Sequence, residues 1–359
     1  MKCGKIAAAV LAASLLTGAA FAMDKPVLLS DQGSFEAGGT VVTTPGTFDN
    51  NHPLNQAGQT LHGDHAYVFY QKPAKAHKNS IVFLHGHGQS GKTWETTPDG
   101  RDGFQNIFLE KGYNTYVVDQ PRRGKAGQST NTDIPKDSNV TLDQFWFNNF
   151  RIGHYPKPYD NAQVPRDAAS QDQFLRMMTP DTGAFDANVV SDAMAAVLEK
   201  SGPAMLITHS QGGGLGWLTA IKSRNVQGIV SLEPGSGFLF PEGETPEAES
   251  TISPLGPLKA ETIPQADFEK LTKFPILILY GDHIPSQPSK NWNEDTWRIR
   301  LNMARKWAET VNRHGGDAQV IYLPDIGIYG NTHFIMSDLN NKQIANLIDN
   351  WFHQKKLDK

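Results

Sequence analysis

The stretch Ala204-Met-Leu-Ile-Thr-His-Ser-Gln-Gly-Gly-Gly214 constrains the chain most. Ala204 to Ile207 is an apolar run that fits a buried strand. Thr208 to Gly212 is a tight turn, and Leu215, Trp217, Leu218 and Ile221 follow at roughly helical spacing. A strand, a sharp turn with a central serine, and a helix make a nucleophile elbow. A serine hydroxyl is a poor nucleophile until a base takes its proton. The turn lifts Oγ out of the sheet, and small neighbours let substrate and backbone approach. The usual pattern is G-x-S-x-G, but Thr208 occupies the first glycine position. Taken alone, the five residues also fit a glycine-rich strand-to-helix turn with an ordinary serine, so the rest of the chain has to decide.

The flanking sequence has a βαβ rhythm. Val27 to Phe48 reads as a β-hairpin and Ala66 to Tyr70 as a short strand. Buried strands are expected at Ile81–Leu84, Thr115–Val118, Gln227–Leu232, Phe274–Tyr280 and Gln319–Leu323. Helices are expected at Phe104–Lys111, Asn188–Glu199, Thr296–Arg313 and Gln343–Phe352. The pattern implies an α/β fold with a mostly parallel central sheet flanked by helices. Residues 128–185 break the rhythm with Phe145, Trp146, Phe147, Phe150, Tyr155, Tyr159 and several prolines. They read either as a cap-like insertion that helps form a pocket or as a peripheral loop with its own aromatic cluster. Residues 240–264, rich in Pro, Glu and Gly, read as a surface loop or lid margin.

Length and charge set bounds. At 359 residues, 38% hydrophobic and a net charge of -4, the chain can bury a large core and lacks the basic footprint of a nucleic-acid binder. Lys2 and Lys5, the apolar run Ile6 to Leu16 and Ala20-Phe21-Ala22 read as a secretory signal peptide cut after Ala22. The run is shorter than the ~20 residues of a membrane span. Residues 23–359 then form one domain, periplasmic or secreted, with no membrane segment in the mature form. The only cysteine, Cys3, lies in the leader.

In an open parallel sheet, ligands bind outside the carboxyl ends of the strands. There the sequence sets His85 to Gly88, Asp119, Ser210, Glu233, Asp282 and, in the loop after the last strand, His333. Serine, then acid, then histidine is the chain order of α/β-hydrolases. His333 is the candidate base. His209, His283 and His314 are weaker candidates: His209 should point away from the serine, and His314 sits at a helix end, where positive charge is favourable. Glu233 and Asp282 compete for the acid. The oxyanion hole should use the backbone N–H groups of His87 and Gln211. No G-K-[ST] follows the glycine-rich loop, which argues against phosphate binding. No third ligand accompanies His85 and His87, which argues against a metal.

The residues also resemble a family. Leu84-His-Gly-His-Gly88, Thr93-Trp-Glu-Thr-Thr-Pro-Asp-Gly-Arg101, Lys111-Gly-Tyr and Tyr116-Val-Val-Asp-Gln120 resemble the esterase 713-like group of bacterial α/β-hydrolases. So do His209-Ser-Gln-Gly212, Leu232-Glu-Pro234, Tyr280-Gly-Asp-His-Ile284 and Gly330-Asn-Thr-His-Phe334. The resemblance runs from about residue 30 to the C-terminus. It implies a serine esterase with a Ser–His–Glu triad, here Ser210, His333 and Glu233, leaving Asp282 a structural or supporting residue. Members carry two adjacent cysteines in the oxyanion loop where this chain has His87 and Gly88, so neither redox control nor substrate fit carries over.

The expected activity is hydrolysis of a small-molecule carboxylic ester without cofactor or metal. A homodimer is compatible with the sequence. Trp94-Glu95 and the aromatic insertion are expected to shape the substrate pocket. An acyltransferase or amidase using the same three residues, and an inactive hydrolase fold that only binds, are the competing readings.

Overall fold

The apolar runs that punctuate the sequence become neighbouring strands of one eight-stranded sheet. The computed structural model describes residues 26–131 and 142–359. In chain order the sheet strands are β1 (Leu29–Thr43), β2 (Thr60–Pro73), β3 (Ser80–Leu84) and β4 (Thr115–Asp119). They continue with β5 (Ala204–His209), β6 (Val226–Leu232), β7 (Pro275–Tyr280) and β8 (Asp317–Tyr322). Their spatial order is β1-β2-β4-β3-β5-β6-β7-β8. All pairs from β4 to β8 are parallel, and β1–β2 and β2–β4 are antiparallel.

The central strands are buried on both faces, which explains their nearly continuous apolar sequence. Their period of two still sorts the side chains. Val82, Leu84, Leu206, Ile229, Ile276 and Ile278 join one core cluster. Ile81, Phe83, Ile207, Val230, Leu277 and Leu279 join the other. Over the first face pack α4 (Ala187–Ser201), α5 (Gly212–Lys222) and α6 (Trp292–Arg313), whose Val197, Trp217 and Trp307 enter its cluster. Over the second lie α1 (Phe104–Glu110) and α7 (Asn341–Gln354). Asp186 caps α4 by accepting from the N–H groups of Asn188 and Val189, and Gly202 ends it at φ 73°.

The expected hairpin at 27–48 is instead one long strand whose partner is β2. Gly38 and Gly39 make no turn and run within the strand, with Gly38 opposite His65 and Thr40 opposite Gly63. Glycine at 38 serves close packing: a Cβ there would lie 2.7 Å from the Cα of Ala193 on α4. Within the insertion the structure places α2 (Asp143–Asn149) and α3 (Ala168–Arg176). Residues 239–241 and 261–263 pair as a small parallel ribbon. The leader at 1–22 and part of the insertion, 132–141, lie outside the described residues.

Candidate active site

Strand register brings the site together. His209 pairs with Leu232, and Leu232 with Leu279, so Ser210, Glu233 and Gly281 emerge beyond one sheet edge. Ser210 has φ 55° and Glu233 φ 53°, both in the left-handed region that a non-glycine residue enters only under constraint. The constraint is a set of backbone bonds. Ser210 N–H donates to the Leu232 carbonyl, Glu233 N–H to Leu279, and Gly235 N–H to Ser210, at 3.0, 2.8 and 3.0 Å. Tyr280 Oη adds a bond to the Pro234 carbonyl at 2.7 Å.

The elbow accommodates Thr208 because the small residue sits elsewhere. Thr208 Oγ1 donates to Ser231 Oγ at 2.9 Å. A Cβ on Gly216 of α5 would lie 2.8 Å from the Thr208 methyl. The room usually given by the motif's first glycine is thus supplied from the helix.

His333 is fully enclosed. Its Nδ1 lies 3.1 Å from Glu233 Oε2. Its N–H donates to the Phe150 carbonyl at 2.9 Å, and its own carbonyl accepts from His209 Nε2 at 2.9 Å. Phe150 stacks on the imidazole at 5.3 Å, and Trp297 packs on it at 4.1 Å. Just beyond, the buried Asp338 carboxylate accepts from Thr332 N–H, Thr332 Oγ1 and Asn331 Nδ2. Burial pushes its pKa up to about 7, with those hydrogen bonds opposing the shift.

Glu233 uses both oxygens. Oε2 faces His333, while Oε1 accepts from Gly281 N–H and from Arg151 Nη2, the latter at 2.6 Å. The Arg151–Glu233 pair is wholly buried. The Arg151 charge offsets part of the pull that the carboxylate exerts on the imidazole. Burial, then the nearby charges of Arg151 and Arg300, hold the His333 pKa well below the ordinary histidine value, so the ring is neutral at rest.

Asp282, the other candidate acid, holds loops. Its carboxylate accepts from Gly330 N–H at 2.7 Å, His283 N–H at 2.6 Å and Asn161 Nδ2 at 3.2 Å. His283 stacks on Tyr159 at 3.8 Å, and His314 pairs with Glu244 at 2.7 Å. The His209 ring is 4.4 Å from that of His333, and its Nε2 secures the His333 backbone. His85 turns inward to accept from Gln120 N–H at 3.1 Å. His87 faces outward, 5.9 Å from the Trp146 ring. Burial and the Arg123 charge lower the pKa of each to about 4.

Beside Ser210 is a cavity of about 370 Å³ whose walls include His87, Trp146, Phe150, Gln211 and Arg300. The His85–Gly88 loop presses against the serine. A Cβ on Gly86 would lie 2.7 Å from Ser210 Cβ. Among the described residues, the backbone N–H groups of His87 and Gln211 have no hydrogen-bond acceptor. Trp146 and Phe150 bring the insertion into the wall of this cavity. Trp94 does not line this cavity. It is buried against Phe83 and Phe104, 5.1 and 6.3 Å away, while Glu95 is exposed. Their neighbour Arg101 reaches the carbonyls of Ser337 and Asp338, tying this stretch to the chain after His333. A second, apolar cavity of about 190 Å³ is lined by Phe147, Val164, Phe174 and Phe334.

Sequence reasoning missed Arg151. It stands among aromatics and prolines in the stretch without regular periodicity, and its partner is 82 positions away. It also missed Trp297, whose helical spacing reads as ordinary core.

The description of the alpha/beta hydrolase family matches residues 81–340. A bacterial esterase of known structure is 31% identical, with a TM-score of 0.74, covering 92% of this chain and 98% of its own. The probable secreted lipase phiG of a fungal species (strain ATCC 74256) is 27% identical over 318 residues, 77% of this chain and 82% of the lipase. With a match over most of its length and the parallel sheet to go with it, the chain belongs to the alpha/beta hydrolase family.

Proposed function

We propose that the protein is an exported serine hydrolase that cleaves a carboxylic ester through Ser210, His333 and Glu233. The observation that carries this reading is the His333 Nδ1–Glu233 Oε2 contact of 3.1 Å at the sheet edge where the left-handed Ser210 emerges. The esterase and secreted lipase relatives support the reaction class and the export.

With Nδ1 facing Glu233, Nε2 remains as the base. It takes the Ser210 proton as Oγ attacks the ester carbonyl, and the tetrahedral oxyanion draws on the N–H groups of His87 and Gln211. The imidazolium then protonates the leaving alcohol as the C–O bond breaks. Water attacks the acyl-enzyme with His333 again as base, releasing the acid and restoring Ser210. Glu233 stabilises the transient cation, and Arg151 holds the Glu233 carboxylate in place.

The test is turnover of graded p-nitrophenyl esters by the mature protein beside Ser210→Ala, with fluorophosphonate labelling of both. The expected outcome is hydrolysis and labelling of the wild type, with kcat/KM down by about 10⁴-fold or more in the variant. An unlabelled, inactive wild type would refute the reading.

A further inference from the structure

One charged group on the cavity wall, beyond its field on His333, makes no contact that the ester chemistry uses. Arg300 of α6 faces the same cavity as Ser210. Its guanidinium lies 5.3 Å from the Trp297 ring, whose face at 4.1 Å carries His333. Nη1 donates to the Thr296 carbonyl and Oγ1 at 2.6 and 2.8 Å, both neutral acceptors.

The buried arginines each meet a carboxylate: Arg122 with Asp64, Arg123 with Asp181, Arg151 with Glu233 and Arg298 with Asp295. Partly buried Arg300 has no ion pair among the described residues. No Asp or Glu lines its cavity. A guanidinium withdrawn from water without a counter-ion is costly, and the cost is recovered when an anion arrives. Its planar fork matches a carboxylate in bidentate fashion.

We infer that Arg300 receives a carboxylate on the substrate, so that the ester hydrolysed carries a second, free acid group, as in the monoester of a dicarboxylic acid. This rests on the esterase reading of Ser210. The carboxylate would pair with Arg300 while the ester carbonyl lies against Ser210, so recognition depends on the number of carbons between the two groups.

The experiment compares p-nitrophenyl hemisuccinate, hemiglutarate and hemiadipate with uncharged acyl esters of equal chain length. Rates observed with Ser210→Ala are subtracted, because a neighbouring carboxylate hydrolyses such esters unaided. The wild type should favour the anionic ester at one chain length by at least tenfold in kcat/KM. Arg300→Gln should cut that anionic-to-neutral ratio at least tenfold, and Arg300→Lys should retain part of it. The ratio cancels any general loss from misfolding or a weakened base. As a second measurement on the wild type alone, glutarate should inhibit neutral-ester hydrolysis competitively and glutaramide should not. An unchanged ratio in Arg300→Gln, or equal inhibition by acid and amide, overturns the inference while leaving the esterase intact. A wild type inert toward every ester overturns the esterase reading and this inference with it.

Discussion

The sheet edge and the segment laid over it contribute to one site by different means. At the edge, backbone register decides: β5 and β6 end side by side, and Ser210 and Glu233 follow their last paired residues. In residues 142–185 side chains decide. Arg151, also left-handed at φ 53°, reaches Glu233, and Phe150 meets His333 through both its carbonyl and its ring. Glu233 is where the two meet, one oxygen on His333 and the other on Arg151. The scaffold sets which atoms can react, and the insertion sets their charge and enclosure.

The sharpest test of that division sets the two strand-end carboxylates against each other. Glu233→Gln keeps the shape but loses the charge that stabilises an imidazolium. It should lower kcat by about 10³–10⁴-fold, the scale seen when a triad acid becomes an amide. Asp282→Asn removes a carboxylate that fastens the 329–331 loop, and should cost less than tenfold in kcat while lowering stability. Steady-state kinetics of both variants would reveal a reversed assignment, with the larger kinetic loss falling on Asp282.

Arg151 tests the insertion's share. Arg151→Met leaves Glu233 buried without its cation, a change that costs about 3–5 kcal/mol when a buried pair is broken from one side. It should also move the pH profile. In the proposed mechanism the neutral imidazole is the active form, and its lowered pKa should keep the acidic limb of kcat/KM below the usual histidine range. In the variant an unbalanced Glu233 favours the imidazolium, so the limb should move to higher pH. Stability alone would not move it. An unmoved limb would leave Arg151 a purely structural partner.

The sequence was most readable where chemistry depends on strand ends. The elbow, the parallel strands, and the order of Ser210, Glu233 and His333 all follow from local patterns. Residue chemistry alone did not choose between Glu233 and Asp282; that choice came with the family resemblance. The geometry behind it lies in contacts 48 to 100 residues apart, Asp282 to Gly330 and Glu233 to His333. Trp94 misled for the opposite reason: an aromatic next to an acid looks like a pocket wall, but the ring packs beneath the sheet edge. The elbow turn determines where Ser210 goes and says nothing of the His333 loop, so the bond from His209 Nε2 to the His333 carbonyl had no signal in the sequence.

The smallest expected effect belongs wholly to the scaffold. Gly216→Ala should help an isolated helix by about 1 kcal/mol on propensity alone. In the protein its Cβ would meet the Thr208 methyl at 2.8 Å, and overpacking of this kind costs about 1–3 kcal/mol. The expected net result is a lower urea midpoint with an unchanged m-value. Thr208→Ser removes that methyl and keeps the hydroxyl bonded to Ser231, so adding it to Gly216→Ala should recover most of the loss. Additive penalties would mean that Thr208 and Gly216 do not exchange space, leaving threonine at the head of the elbow without a steric explanation. Recovery in the double variant would show that the elbow's missing glycine is replaced on α5, by the same backbone logic that places Ser210, and without help from the insertion.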